Sequence, residues 1–174
     1  SGTLKCYVDG VLRQDFGSSY DDNIDDTDIT IGYDGSDILQ GYMSNVRLVK
    51  GTAVYSANFT PPTSNLSPVT GSGITTLILT CQGSTITDAS GAGTSITTHG
   101  NAAVVYADPF AATSSMYFNG TDGYLKSIMN FENEYQFGSP SYGDGHDRYK
   151  EWSVEFWIYI ESDPATPSSA GDFD

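Results

Sequence analysis

Gly41-Tyr42-Met43-Ser44-Asn45-Val46-Arg47-Leu48-Val49-Lys50-Gly51-Thr52-Ala53 carries aromatic, aliphatic and β-branched side chains with no helical period. Alternation along residues 42–50 sets Tyr42, Val46 and Leu48 on one face of a strand and Met43, Arg47 and Val49 on the other. Apolar side chains on both faces suit a strand inside a sandwich of two sheets.

Working outward from this stretch, the reading is strand nearly everywhere, with no convincing helix. Residues 3–8 alternate, meet Asp9-Gly10, and return along 11–16 as a hairpin, because that dipeptide accepts the positive φ angles of a type I′ turn. Residues 28–32 form a short strand. After Pro61-Pro62 the character changes: between 51 and 125 the acids are Asp88, Asp108 and Asp122 alone, while Thr, Ser and Gly dominate. Strands are expected at 75–81, 86–88, 94–98 and 104–106, with a turn at Gly91-Ala92-Gly93. Asp108-Pro109-Phe110 marks a boundary, since proline removes a ladder donor and restricts its predecessor. Beyond it a second hairpin, 115–118 and 124–128, encloses Asn119-Gly120-Thr121-Asp122-Gly123. Residues 152–160 give the strongest strand signal, with Val154, Phe156, Ile158 and Ile160 on one face.

The chain has 174 residues, enough to bury a core in one domain, with 19 Gly, 12 Tyr and 38% hydrophobic content. Against 22 acidic residues stand 7 Lys plus Arg, a formal charge of −15. Such a surface repels nucleic-acid phosphate and anionic headgroups, so no nucleic-acid partner is expected. No apolar stretch reaches bilayer-spanning length, and no membrane insertion is expected. The opening Ser1-Gly2-Thr3-Leu4-Lys5 lacks Met and a signal-peptide core, which reads as a processed, excised or partial chain.

Several segments resemble one family when taken together. They are Leu4-Lys5-Cys6-Tyr7-Val8-Asp9-Gly10-Val11, the 41–53 stretch running on to Phe59-Thr60-Pro61-Pro62, and Leu79-Thr80-Cys81-Gln82. Met116-Tyr117-Phe118-Asn119-Gly120-Thr121-Asp122-Gly123-Tyr124-Leu125 and Trp152-Ser153-Val154-Glu155-Phe156-Trp157-Ile158-Tyr159 complete the set. The whole is similar to the laminin-G-like, concanavalin A-like jelly-roll domains common in phage tail proteins and secreted adhesins. In that family the Phe-Asn-Gly…Tyr-Leu and Glu-Phe-Trp segments open the domain, and the Tyr-Val-Asp-Gly and Gly-Tyr-Met-Ser-Asn segments close it. Here the order is reversed and the family's middle strands are missing.

The resemblance implies an all-β, antiparallel jelly-roll β-sandwich. Residues 1–107 read as its C-terminal half, 108–114 as a linker, and 115–174 as the opening strands of a following or circularly arranged sandwich. A half-sandwich leaves edges and an apolar face open, so neighbouring copies, as subunits or tandem repeats, are the expected partners.

Catalytic chemistry finds little support. Glu155 and Glu161, the best acidic pair on one strand, are roughly 20 Å apart at about 3.3 Å per residue, too far for the paired carboxylates of a glycosidase. Neither His99 nor His146 adjoins a nucleophile turn, and Gly71-Ser72-Gly73 and Gly91-Ala92-Gly93 lack the third glycine and helix of a phosphate loop. The chain is therefore expected not to be an enzyme.

Calcium is the candidate cofactor, though none is required: Asp21, Asp22, Asp25, Asp26 and Asp28 crowd between two strands as hard oxygen ligands, the alternative being a solvated acidic loop. Some relatives hold calcium through an aspartate where this chain has Asn45. The resemblance also implies glycan contact by loop aromatics, here Tyr20, Tyr33, Tyr135, Tyr142 and Tyr149, with a cell-surface glycan as partner. Asn58 and Asn119 head usable N-glycosylation sequences, whereas the Asn65 sequence is followed by Pro68. Cys6 and Cys81 lie on candidate strands, either bridged or as two buried free thiols. The functional expectation is a structural or adhesive module of a virion tail fibre or extracellular filament, the alternative being a lectin-type carbohydrate-binding module.

Overall fold

The computed structural model describes residues 3–17, 28–50, 52–69, 74–82, 85–106, 114–128 and 151–161. Eleven strands run through them: β1 (Lys5–Val8), β2 (Val11–Asp15), β3 (Asp28–Ile31), β4 (Gln40–Lys50), β5 (Ile74–Gln82), β6 (Thr85–Asp88), β7 (Ser95–His99), β8 (Ala103–Val105), β9 (Ser115–Asn119), β10 (Tyr124–Ile128) and β11 (Trp152–Ile160). Every pairing is antiparallel, and no helix occurs among the described residues.

Three sheets result. The large one follows the order β6-β5-β4-β9-β8, with β11 on the other flank of β4; a small one has the order β3-β10-β7; and β1-β2 forms a separate hairpin. The long β4 organises the large sheet. Its residues Gln40–Met43 pair with β9 and Val46–Lys50 with β5 along one edge, while β11 follows the opposite edge from Gly41 to Lys50.

A bulge divides β4 between those halves. Asn45 has φ 52°, and Trp157 of β11 faces Ser44 while Glu155 faces Arg47, so β4 carries one residue more than its partner there. The extra residue reverses the phase of alternation. Met43, Val46 and Leu48 consequently share the core, and Tyr42 stands on the opposite face against Tyr117 and Tyr159. This corrects the strict-alternation expectation, which grouped Tyr42 with Val46 and Leu48.

The large and small sheets pack face to face through Met43, Val46, Leu48, Leu77, Leu79, Met116 and Phe118 on one side and Ile31 and Leu125 on the other. Phe118, Leu77, Leu79 and Leu125 are essentially sealed from water. Each such burial contributes roughly 1.5–3 kcal/mol.

The segments flanking 108–114 share these sheets. β9 lies between β4 and β8, β10 between β3 and β7, and β11 lies on β4. β9, β10 and β11 find ladder partners inside the chain.

The outer face of the large sheet is half covered. Residues 52–69 cross it above Arg47, Val49 and Ile78, which are nearly or completely buried. They are tied down by the Leu66 amide donating to Asn45 Oδ1 (3.2 Å) and by Arg47 Nη1 donating to the Ser67 carbonyl (2.7 Å). The β1-β2 hairpin docks on this segment in turn. Asp9 and Gly10 have φ 52° and 74°, the Phe59 amide donates to the Gly10 carbonyl at 2.8 Å, and a Cβ at Gly10 would collide with the Phe59 carbonyl. Phe59 stacks on Tyr55 beneath it, and Tyr7 meets the Phe59 ring edge-on.

Candidate functional site

Two surfaces have a chemistry that the core does not need. The first is a slot at the flank where β3 and β11 border the sandwich. Among the described residues β3 is an edge of the small sheet and pairs only with β10, while β11 pairs only with β4. The inward row of β11 is left open to solvent: Val154 is 45%, Phe156 46%, Ile158 43% and Ile160 53% exposed. Val154 and Phe156 line an apolar cavity of about 250 Å³, together with Ile29 and Ile31 of β3 and Met43 and Leu77 from the core. Among the described residues the small sheet ends at β3 and does not cover β11, and the inward side chains of β11 are about half exposed along this flank.

The second surface is a row of tyrosines on the outer face, with Tyr159 exposed and Tyr42 and Tyr117 partly buried. Tyr159, Tyr42 and Tyr117 occupy one register line across β11, β4 and β9. Ring centroids are 6.1 Å apart for Tyr159–Tyr42 and 5.1 Å for Tyr42–Tyr117. Glu161 bonds the hydroxyl of Tyr42, the middle ring, and holds that phenol above its ordinary pKa, with burial and its negative charge acting in the same direction. Gly41 makes the close approach of β11 possible, because a Cβ there would collide with the Tyr159 carbonyl.

Between the two halves of the outer face stands an ionic cluster. Arg47 Nε donates to Glu155 Oε1 at 2.5 Å, and the Tyr55 hydroxyl donates to Oε2 at 3.1 Å. Burial raises the Tyr55 pKa, and the Glu155 charge adds to it.

The sequence-derived candidates fall elsewhere, in part beyond view. Tyr20, Tyr135, Tyr142, Tyr149, Asp21, Asp22, Asp25 and Asp26 lie outside the described residues, and the backbone of Asp28 pairs with Ile128. Tyr33 packs its ring 5.1 Å from Tyr124 and donates its hydroxyl to the Gly35 carbonyl at 2.7 Å. Tyr124 in turn stacks on His99. Among the described residues no group of three or more His, Cys, Asp or Glu is placed to hold a metal ion. Asn45, the position matched to an aspartate ligand, instead serves the bulge and the Leu66 amide.

Both glycosylation candidates have structural work. Asn58 Oδ1 accepts from the Leu12 amide at 2.9 Å. Asn119 Oδ1 accepts from the amides of Thr121, Asp122 and Gly123, while its Nδ2 donates to Asp122 at 2.7 Å. A glycan on that nitrogen would have to displace the Asp122 contact. Cys6 and Cys81 stand as free thiols, Cys6 exposed on the hairpin and Cys81 partly buried in β5.

Sequence reasoning missed the tyrosine row because its members are far apart in the chain and only strand register aligns them. No protein-family model, curated protein or solved structure matches this chain.

Proposed function

We propose that the chain is a non-enzymatic structural or adhesive module of an extracellular or virion-surface assembly, a laminin-G-like jelly roll joined to neighbouring copies through strand complementation or tandem repetition. The observation that carries this reading is the slot between β3 and β11. Two sheet edges without a second partner among the described residues border one apolar opening, and the exposed side chains alternate as an interior face does. Soluble chains rarely leave such a surface bare, and an added strand satisfies edge and face together. Backbone ladders supply the affinity in such a junction, and alternate side chains seated on Val154, Phe156 and Ile158 supply its register.

A strand from a second copy suits the slot electrostatically as well, because the exposed row of β11 carries no charge. The charge of −15 keeps unjoined copies apart at long range, and salt screens it beyond about 8 Å at physiological ionic strength. Size-exclusion chromatography with light scattering over a concentration series tests the proposal. Growth of dimers and larger species with concentration supports it, and a monodisperse monomer throughout refutes it.

A further inference from the structure

We propose that the segment entering the slot is the β1-β2 hairpin of a second copy, its β1 edge adding beside β11, so that copies join head to tail. This rests on the strand-complementation reading above and names the partner segment and the symmetry of the junction.

Among the described residues, exposed large aliphatic side chains fall into two groups. One is the inward row of β11, and the other is the hairpin, where Val8 is 49%, Val11 44% and Leu12 38% exposed. Val8 faces Val11 across the ladder, and Cys6, two residues earlier in β1, is exposed on the same side. That apolar strip turns away from the hairpin's own anchor. Tyr7, on the opposite side, meets the Phe59 ring, and the Phe59 amide holds the Gly10 carbonyl. A two-stranded hairpin is marginal by itself, and this one has a single covered face.

Edge and charge point the same way. β1 pairs only with β2 among the described residues, whereas on β2 the Leu12 amide already donates to Asn58 Oδ1 at 2.9 Å. The edge strands β6, β7 and β8 expose Thr, Ser and Ala instead of a pair of large aliphatic side chains. A β1 strand beside β11 brings Cys6 and Val8 against the row of Val154, Phe156 and Ile158, and covers the mouth of the cavity beneath. In the hairpin Lys5 and Arg13 balance Asp9 and Asp15, so it is neutral in a chain of charge −15, while Glu151 and Glu161 bracket β11. Repulsion between copies is therefore weakest at this element, and its cations meet a rim of the opposite sign.

The hairpin is fixed to the 52–69 segment of its own copy, and no ladder joins it to β3 or β11 among the described residues. Donor and acceptor are thus different patches. Each junction leaves one hairpin and one slot unused at its two ends, so the contact is heterologous and propagates as a ring or an open filament rather than closing as a two-fold dimer.

The test uses two variants and light scattering. Val8→Glu with Val11→Glu blocks the hairpin, and Phe156→Glu with Ile158→Glu blocks the slot; the four side chains are 43% to 49% exposed, so circular dichroism is expected to match wild type. Each variant alone is expected to stay monomeric at concentrations where wild type grows past the dimer. Their equimolar mixture is expected to form a one-to-one dimer and nothing larger, since one intact hairpin then meets one intact slot. Hydrogen–deuterium exchange on wild type needs no substitution and is expected to show Lys5–Val8 gaining protection with association. A hairpin variant that associates as wild type does, while the slot variant does not, would overturn the hairpin's role and leave strand complementation standing. So would a mixture that stays monomeric, or association without protection along β1. Wild type that is monomeric throughout would overturn both readings.

Discussion

Arg47 and Glu155 face each other across β4 and β11, and the guanidinium closes on one carboxylate oxygen through both Nε and Nη2. Their side chains are only 8% and 16% exposed, and the third guanidinium nitrogen is engaged by the Ser67 carbonyl. The pair joins two strands on opposite sides of residues 108–114, and the 52–69 segment seals it.

Removing one partner leaves the other charge in a nearly dry site, which costs about 3–5 kcal/mol in comparable buried pairs. Arg47→Met and Glu155→Leu are each expected to lower unfolding free energy in urea by about 3 kcal/mol, with the double variant clearly less damaged than the sum of the two. Additive losses would show that the pair is not coupled.

Asn45 holds the bulge at φ 52°, a conformation that β-branched side chains adopt only with strain of roughly 1–3 kcal/mol. Asn45→Val is therefore expected to lose about 2 kcal/mol or more, since the Leu66 amide also loses its acceptor. Asn45→Gly relieves the backbone but not the lost hydrogen bond, and should cost less. Equal losses measured by chemical denaturation would separate the bulge from the backbone argument.

Asp88 gathers the β6–β7 turn by accepting from the amides of Ile78, Ser90 and Thr94 and from the Ser90 hydroxyl. Partial burial raises its pKa, but these donors outweigh it and leave the group below the ordinary 3.8. A depressed folded pKa stabilises the fold fully above 3.8, and that contribution disappears as the pH drops through the folded value. Wild type should lose stability on acidification below about pH 4 more steeply than Asp88→Asn, as measured by thermal melts across the acidic range. Parallel curves would contradict the assignment.

Cys6 and Cys81 should both react with a thiol reagent, Cys6 faster because it lies on the exposed hairpin. The intact mass under non-reducing conditions is expected to be that of the dithiol. A mass lower by two hydrogens, with no thiol titrating, would restore the bridge.

The positions of the strands were legible because turn chemistry at Asp9-Gly10 and alternation at 152–160 act locally. Partnership was not. Nothing in the composition of β9 or β11 announces that both join β4, since ladder hydrogen bonds are made by backbone groups common to every residue. The bulge was hidden for a related reason: Asn45 tolerates a positive φ, but its sequence context reads as uninterrupted alternation. That one residue carried Tyr42 from the expected core face to the outer row. Tyr33 was correctly placed in a connecting segment, yet its hydroxyl and ring serve the local turn and Tyr124. Aromatic residues chosen for being in loops thus missed the three aligned by register within strands.

The central claim is that a strand from another copy enters between β3 and β11. Amide hydrogen–deuterium exchange on dilute and concentrated protein addresses it most directly, because edge amides without a partner exchange readily and gain protection once paired. The expected result is protection that appears with association along Asp28–Ile31 and Trp152–Ile160 while β10 and β4 change little. Association that leaves both edges exchanging as in the monomer would contradict the account.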